Sequence, residues 1–199
     1  MEEIQESRKY TYKDYKNWDT KERWELLDGV PYMMASPNKW HQFISGYMCA
    51  QFFNQLLGTS CTAYSAPSDV RLFPEWDESD KTIVQPDIYV VCGNQNNRGA
   101  HQGAPIIVIE ILSDSNSKEE MDIKMEKYFQ AGVKEYWIVR SEYEVIRYLY
   151  NPISNSYAGE EITGTCLSIK TYNLCKDVEI ILDSSMIPKG LRTPQLRLL

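Results

Sequence analysis

Histidine is nearly absent: the chain has two, His41 and His101. Its five cysteines, Cys49, Cys61, Cys92, Cys166 and Cys175, include no C-x-x-C pair. Together these facts argue against the usual zinc clusters. The odd cysteine count predicts reduced, mostly structural thiols and argues against secretion. No apolar run approaches the roughly 18 residues that a membrane helix needs. The opening stretch MEEIQESRKY is charged where a signal peptide needs an apolar core, so a cytoplasmic location is expected. Positive charge is also in deficit, with 21 Lys and Arg against 28 Asp and Glu, a formal net charge of -7. A protein that grips nucleic-acid backbone tightly usually shows a basic face. The deficit therefore weighs against stable nonspecific binding. It is compatible with a local basic groove, and carboxylates gathered around a cation would contribute to it.

What remains is an ordinary globular composition, 43% hydrophobic and 25% charged, over 199 residues. That length suits one domain, with a core over about residues 20–150 and C-terminal strands and tail over 151–199. Thr11 and Asp14 have capping-box spacing for a short helix. RWELLDGVPYMMAS predicts a hairpin turning at Asp28-Gly29. Ile44, Tyr47, Met48, Phe52 and Leu56 recur at near-helical spacing, predicting a helix from about Asn38 to Leu57, with Gly58 as its stop. A strand or two follow, broken near Pro67. EWDESD reads as a solvated acidic loop.

The centre of the chain alternates strand, strand, helix, strand. VQPDIYVVC is a short strand entered through Pro86, and IIVIEIL a second. KEEMDIKMEKYFQA is a helix, with Ser117 and Glu120 at its start and Gly132 just past its end. KEYWIVR is the third strand. NQNNRGAHQGAP reads as a turn-rich loop, and VIRYLY, CLSIK and VEIIL as strands toward the C-terminus. The order implies an α/β or α+β layer arrangement, a mixed central sheet flanked by helices.

One residue breaks the apolar pattern. Glu110 sits inside IIVIEIL, where an ionised carboxylate is costly unless something pairs with it. By strand parity, Ile106, Val108, Glu110 and Leu112 face one side and Ile107, Ile109 and Ile111 the other. If the two strands run antiparallel, the start of one lies beside the end of the other, which places Asp87 near Glu110. Two converging carboxylates with no histidine nearby suit a hard cation such as Mg²⁺. On the following helix, Met121, Met125, Tyr128 and Phe129 form the apolar stripe. Lys124 falls on its edge, from where it can reach back toward Glu110.

The pieces PDI, GAPIIVIEILS, KMEKY and GVKEYWIV, between Gln85 and Val139, resemble the Uma-type restriction endonuclease family of the PD-(D/E)XK nuclease superfamily. WELLDG and SPNKWHQ resemble its N-terminal signatures, so the likeness spans about residues 10–150. The resemblance implies a restriction endonuclease-like core. It implies Asp87 and Glu110 as metal ligands, Lys124 as the catalytic lysine on the helix, and Glu25 as an acidic residue completing the site. It further implies Mg²⁺ or Mn²⁺ as cofactor, DNA as a transient partner and hydrolysis of its phosphodiester bonds. By analogy with one-site nucleases, a homodimer is expected for double-strand cleavage. Two residues after Glu110, where the superfamily often has lysine, this chain has Leu112, and SDSN stands where the family commonly has proline and threonine.

Plainer readings stand beside these. Glu110 can be a structural carboxylate paired with Lys124 alone. Asp87 can end a turn, Glu25 can be an exposed hairpin residue, and His41, Ser113, Gln85 and Asp69 can serve packing or capping. The rival to a nuclease is a catalytically inactive nuclease-fold protein acting as a binding or regulatory module.

Overall fold

The turn at Asp28-Gly29 sets the entry to the fold. Both residues take the left-handed conformation, φ 52° and 82°, as a tight hairpin requires. At Gly29 a side chain is excluded twice, since a Cβ would also lie 2.9 Å from the Tyr10 carbonyl oxygen. In this computed structural model, residues 4–5, 7–93 and 99–191 are described. Residues 94–98, which include all of NQNN, and residues 192–199 of the C-terminal tail lie outside them.

The elements run α1 (Tyr12–Tyr15), β1 (Arg23–Leu27), β2 (Val30–Met34), α2 (Lys39–Leu56), β3 (Cys61–Ser65), β4 (Val70–Arg71), β5 (Ile83–Val84) and β6 (Ile88–Cys92). They continue with β7 (His101–Gln102), β8 (Ile107–Ile111), α3 (Lys118–Ala131), β9 (Glu135–Ser141), β10 (Glu144–Asn151), β11 (Ser156–Thr163), β12 (Cys166–Lys170) and β13 (Glu179–Asp183). A six-stranded sheet has the order β11-β10-β9-β8-β6-β3. It is mixed: β8 runs parallel to β9 and antiparallel to β6. The arrangement is the α+β layering expected of a restriction endonuclease-like core.

Parity sorts the central strand as expected. Ile107, Ile109 and Ile111 pack with Ile44, Met48 and Phe52 of α2 on one face. Val108 and Leu112 pack with Met121 and Tyr128 of α3 on the other. The helix signals also hold. Asn38 Oδ1 accepts from the His41 amide at 2.8 Å, Ser117 Oγ from the Glu120 amide at 3.1 Å, and Gly132 closes α3 at φ 97°.

The structure departs from the sequence reading in several places. The hairpin is part of a second sheet, β2-β1-β5-β4-β7, three of whose strands have only two residues. VQPDIYVVC is two strands, with Gln85, Pro86 and Asp87 between β5 and β6. The strand β11 was not expected. It pairs with β10 along its length, but its exposed polar residues give no two-residue alternation. The cysteines are not all reduced: Cys61 and Cys92, opposite each other on β3 and β6, form a disulfide. A 31-residue separation hides that pairing until the register is known. Among the described residues no helix is long and apolar enough to cross a membrane.

The acidic loop is also only partly solvated. Asp80 is 4% exposed and accepts from Arg71 Nε at 2.9 Å and from Arg71 Nη2. Hydrogen bonding to Asp80 outweighs burial and raises the Arg71 pKa further. Removing one partner of a buried ion pair leaves the other charge uncompensated and costs about 3–5 kcal/mol. Asp80→Ala should lose about that much in chemical denaturation, while Asp77→Ala, in the same run but exposed, should stay within about 0.5 kcal/mol.

Candidate metal-binding site and its buried lysine

Three elements meet at Lys124. Its ammonium lies 2.8 Å from Glu110 Oε1 on β8 and 3.1 Å from both carboxylate oxygens of Glu25 on β1. All three side chains are buried, at 3%, 6% and 1% exposure. Lys124 is therefore not on the edge of the apolar stripe, as helical periodicity suggested. It is one of the three buried residues of α3, with Met121 and Tyr128. The reason is compensation: two carboxylates supply the attraction that makes burial of an ammonium tolerable. Glu25 is not an exposed hairpin residue either.

Asp87 arrives as the antiparallel pairing requires. Ile88 stands opposite Ile109, so the preceding residue comes alongside Glu110. Asp87 Oδ2 accepts from the Ile111 amide at 2.8 Å and lies 3.0 Å from His41 Nε2. The expectation of no histidine nearby is thus corrected. A carboxylate oxygen accepts, so His41 Nε2 is the donor in this contact. His41 Nδ1 is buried with no hydrogen-bond partner among the described residues.

The remaining groups hold these in place. Tyr128 Oη donates to Glu110 Oε1 at 2.6 Å. The Gln85 amide donates to Glu25 Oε1 at 2.6 Å. Asp69 Oδ1 accepts from Tyr15 Oη at 2.9 Å. Ser113 and Asn116 close a turn, the Ser113 amide donating to Asn116 Oδ1 at 2.8 Å. Tyr128 lies four residues after Lys124 on the same helix face, a spacing that could have identified it. Nothing in the sequence joins His41 to Asp87.

Asp87, Glu110, Glu25 and Lys124 line one cavity of about 100 Å³. A larger hollow of about 870 Å³ beside Arg8, Trp18 and Trp24 contains none of them. The cavity lining has four carboxylates, Glu25, Asp87, Glu110 and Glu120, against two cations, Arg23 and Lys124. Burial, only partly offset by Lys124 and reinforced by Asp87 and Glu25, pushes the Glu110 pKa up to about 7. Burial pulls the Lys124 pKa down, but Glu110 and Glu25 outweigh it, and the ammonium is held above its ordinary range. Lys124 stays charged, and the surplus carboxylate character favours a proton on Glu110. Burial likewise raises the Glu120 pKa.

One oxygen of each central carboxylate, Asp87 Oδ1 and Glu110 Oε2, has no hydrogen bond from the described residues. No group of three or more His, Cys, Asp or Glu side chains is arranged to hold a metal among those residues. Mg²⁺ does not require one, since it keeps several waters and takes one or two carboxylates plus substrate phosphate. The hard oxygen donors present fit that ion.

The raised Glu110 pKa has a stability consequence. Below about pH 4.5 the side chain is protonated in both folded and unfolded chains. Between about 4.5 and 7 only the unfolded chain ionises, so this group's contribution falls as pH rises. The unfolding free energy of the metal-free protein minus that of Glu110→Gln should drop by about 3 kcal/mol across that window. Urea titrations at several pH values measure it, and a flat difference would contradict the shift.

A model of the Uma2 family, described as "Putative restriction endonuclease", matches residues 12–171. The fold resembles a crystal structure titled as a putative nuclease belonging to DUF820 from Anabaena variabilis ATCC 29413, with TM-score 0.65 and 17% identity. That likeness covers 82% of this chain and 89% of the other, and at this identity it establishes shared fold. No curated protein matches. The matched span contains Glu25, Asp87, Glu110 and Lys124, and the chain belongs to the Uma2 family.

Proposed function

We propose that the protein is a Mg²⁺-dependent endonuclease that hydrolyses phosphodiester bonds in DNA. The observation that carries this is the convergence of Asp87 and Glu110 beside the Lys124 ammonium in one cavity. Membership of the restriction endonuclease family supports the reaction class.

Asp87 and Glu110 would hold the cation through their uncommitted oxygens. A bound Mg²⁺ supplies Lewis-acid stabilisation of charge on the phosphate and a lowered pKa for water. His41 and the Ile111 amide fix the Asp87 carboxylate, and Tyr128 fixes Glu110. Lys124 presents a compact ammonium beside Glu110, suited to orienting the attacking water or screening charge on the phosphate. Glu25 keeps that ammonium charged and aimed. The carboxylate-rich lining disfavours a phosphodiester until a divalent cation is added, which makes the cation a condition of binding. In this reading two chains would act as a symmetric pair on duplex DNA.

One observation favours the inactive binding module. Lys124 is claimed by two carboxylates at once, which would suit a purely structural ion cluster. Plasmid incubation with Mg²⁺ or Mn²⁺ separates the two. Wild-type protein should nick supercoiled plasmid only with the metal. Glu110→Gln and Lys124→Met should each lose about 100-fold or more in rate, as removal of a charge-stabilising group does. Equal nicking by wild type and both variants would remove the site, and no nicking by wild type with either metal would leave the module.

A further inference from the structure

We infer that Arg23 receives a backbone phosphate of the DNA strand at the cavity described above, an assignment that rests on the nuclease reading. Arg23 is two residues before Glu25 on β1, so the two side chains share a face of the strand. Arg23 lines the same cavity as Asp87, Glu110 and Lys124. Lys124 is committed to Glu25 and Glu110, which leaves Arg23 as the other cation in the lining.

Its charge is oriented without being cancelled. Arg23 Nε and Nη2 both donate to the Gln85 side-chain oxygen, at 3.0 and 2.7 Å. Gln85 is itself fixed, its amide donating to Glu25 Oε1 and its Nε2 to Tyr15 Oη at 3.0 Å. The acceptor is neutral, and no carboxylate of the described residues lies within ion-pair distance of Arg23. Arg71, Arg140 and Arg147 by contrast each bind a carboxylate. Asp69 feels the Arg23 charge, but its Oδ1 is taken by the Tyr15 hydroxyl.

An arginine in an acidic cavity would ordinarily pair with one of its carboxylates. This one is held by an amide oxygen, with Nη1 uncommitted among the described residues. A planar guanidinium fixed along one edge and open along the other is the donor arrangement that phosphate oxygens take. The chemistry is sequence-independent, since a phosphate contact positions the strand and reads no base. Gln85 is the positioning residue: it links the guanidinium to Glu25, and so the phosphate-facing charge to the ion cluster.

A purely structural Arg23 would order Gln85 and nothing more, and salt dependence separates the two roles. Binding of a fluorescein-labelled DNA duplex is measured with Ca²⁺ in place of Mg²⁺, over about 50–200 mM salt. Arg23→Ala should bind more weakly, and its log–log salt slope should be shallower than wild type by about one. Arg23→Lys should keep the wild-type slope. Gln85→Ala disturbs the positioning but leaves the charge, so its slope should also be kept. An Arg23→Ala slope equal to wild type, in a chain that binds duplex and nicks plasmid, overturns the Arg23 assignment and leaves the nuclease reading intact. Failure of the wild-type chain to bind duplex at any salt overturns both.

Discussion

The buried ammonium of Lys124 is the interaction on which the rest of the structure depends. It joins three elements distant in sequence: the hairpin strand carrying Glu25, the central strand carrying Glu110, and the helix between β8 and β9. Glu25 sits deeper than most apolar side chains, which is tolerable only because the lysine is there. The lysine in turn is tolerable only because two carboxylates face it. Each member is costly alone, so the cluster forms as a unit and fixes how the second sheet lies over the first.

The same cluster holds more carboxylates than its cations balance, which is why Glu110 favours a proton. Tyr128, His41 and the Ile111 amide satisfy hydrogen bonds of Glu110 and Asp87. A divalent cation would relieve that surplus where the uncommitted oxygens lie. Structural and functional demands therefore converge: the lysine that permits burial stands beside the carboxylates that would hold the metal. Gln85 extends the arrangement outward, with its backbone amide on Glu25 and its side chain on Arg23.

Much of this was legible in the sequence, for local reasons. Parity put Glu110 on the α3 face, antiparallel pairing brought Asp87 to it, and cap residues bounded both long helices. Those inferences use a two- or four-residue period, or a turn of fixed chemistry. What failed depended on pairings distant in sequence. The two-residue strands β4, β5 and β7 are too short to show a period. The edge strand β11 is exposed along most of its length, so its sequence shows no clean alternation. Periodicity counted Lys124 as a flank residue because it weighs apolarity, while the burial of Lys124 follows from Glu25, 99 residues away. Cys61 and Cys92 and His41 and Asp87 were missed because their partners lie 31 and 46 residues away; Asp80 and Arg71 are only nine residues apart, but an irregular loop carries no period that would pair them.

The central claim is that Asp87 and Glu110 hold one divalent cation. Calorimetric titration of Mn²⁺ into the protein, beside Asp87→Ala and Glu110→Ala, tests it most directly. The account predicts one ion per chain, bound more than about tenfold more weakly in each variant, a loss that even an outer partner of a metal ligand can cause. Equal affinity in all three proteins, or no binding by the wild type, would contradict it.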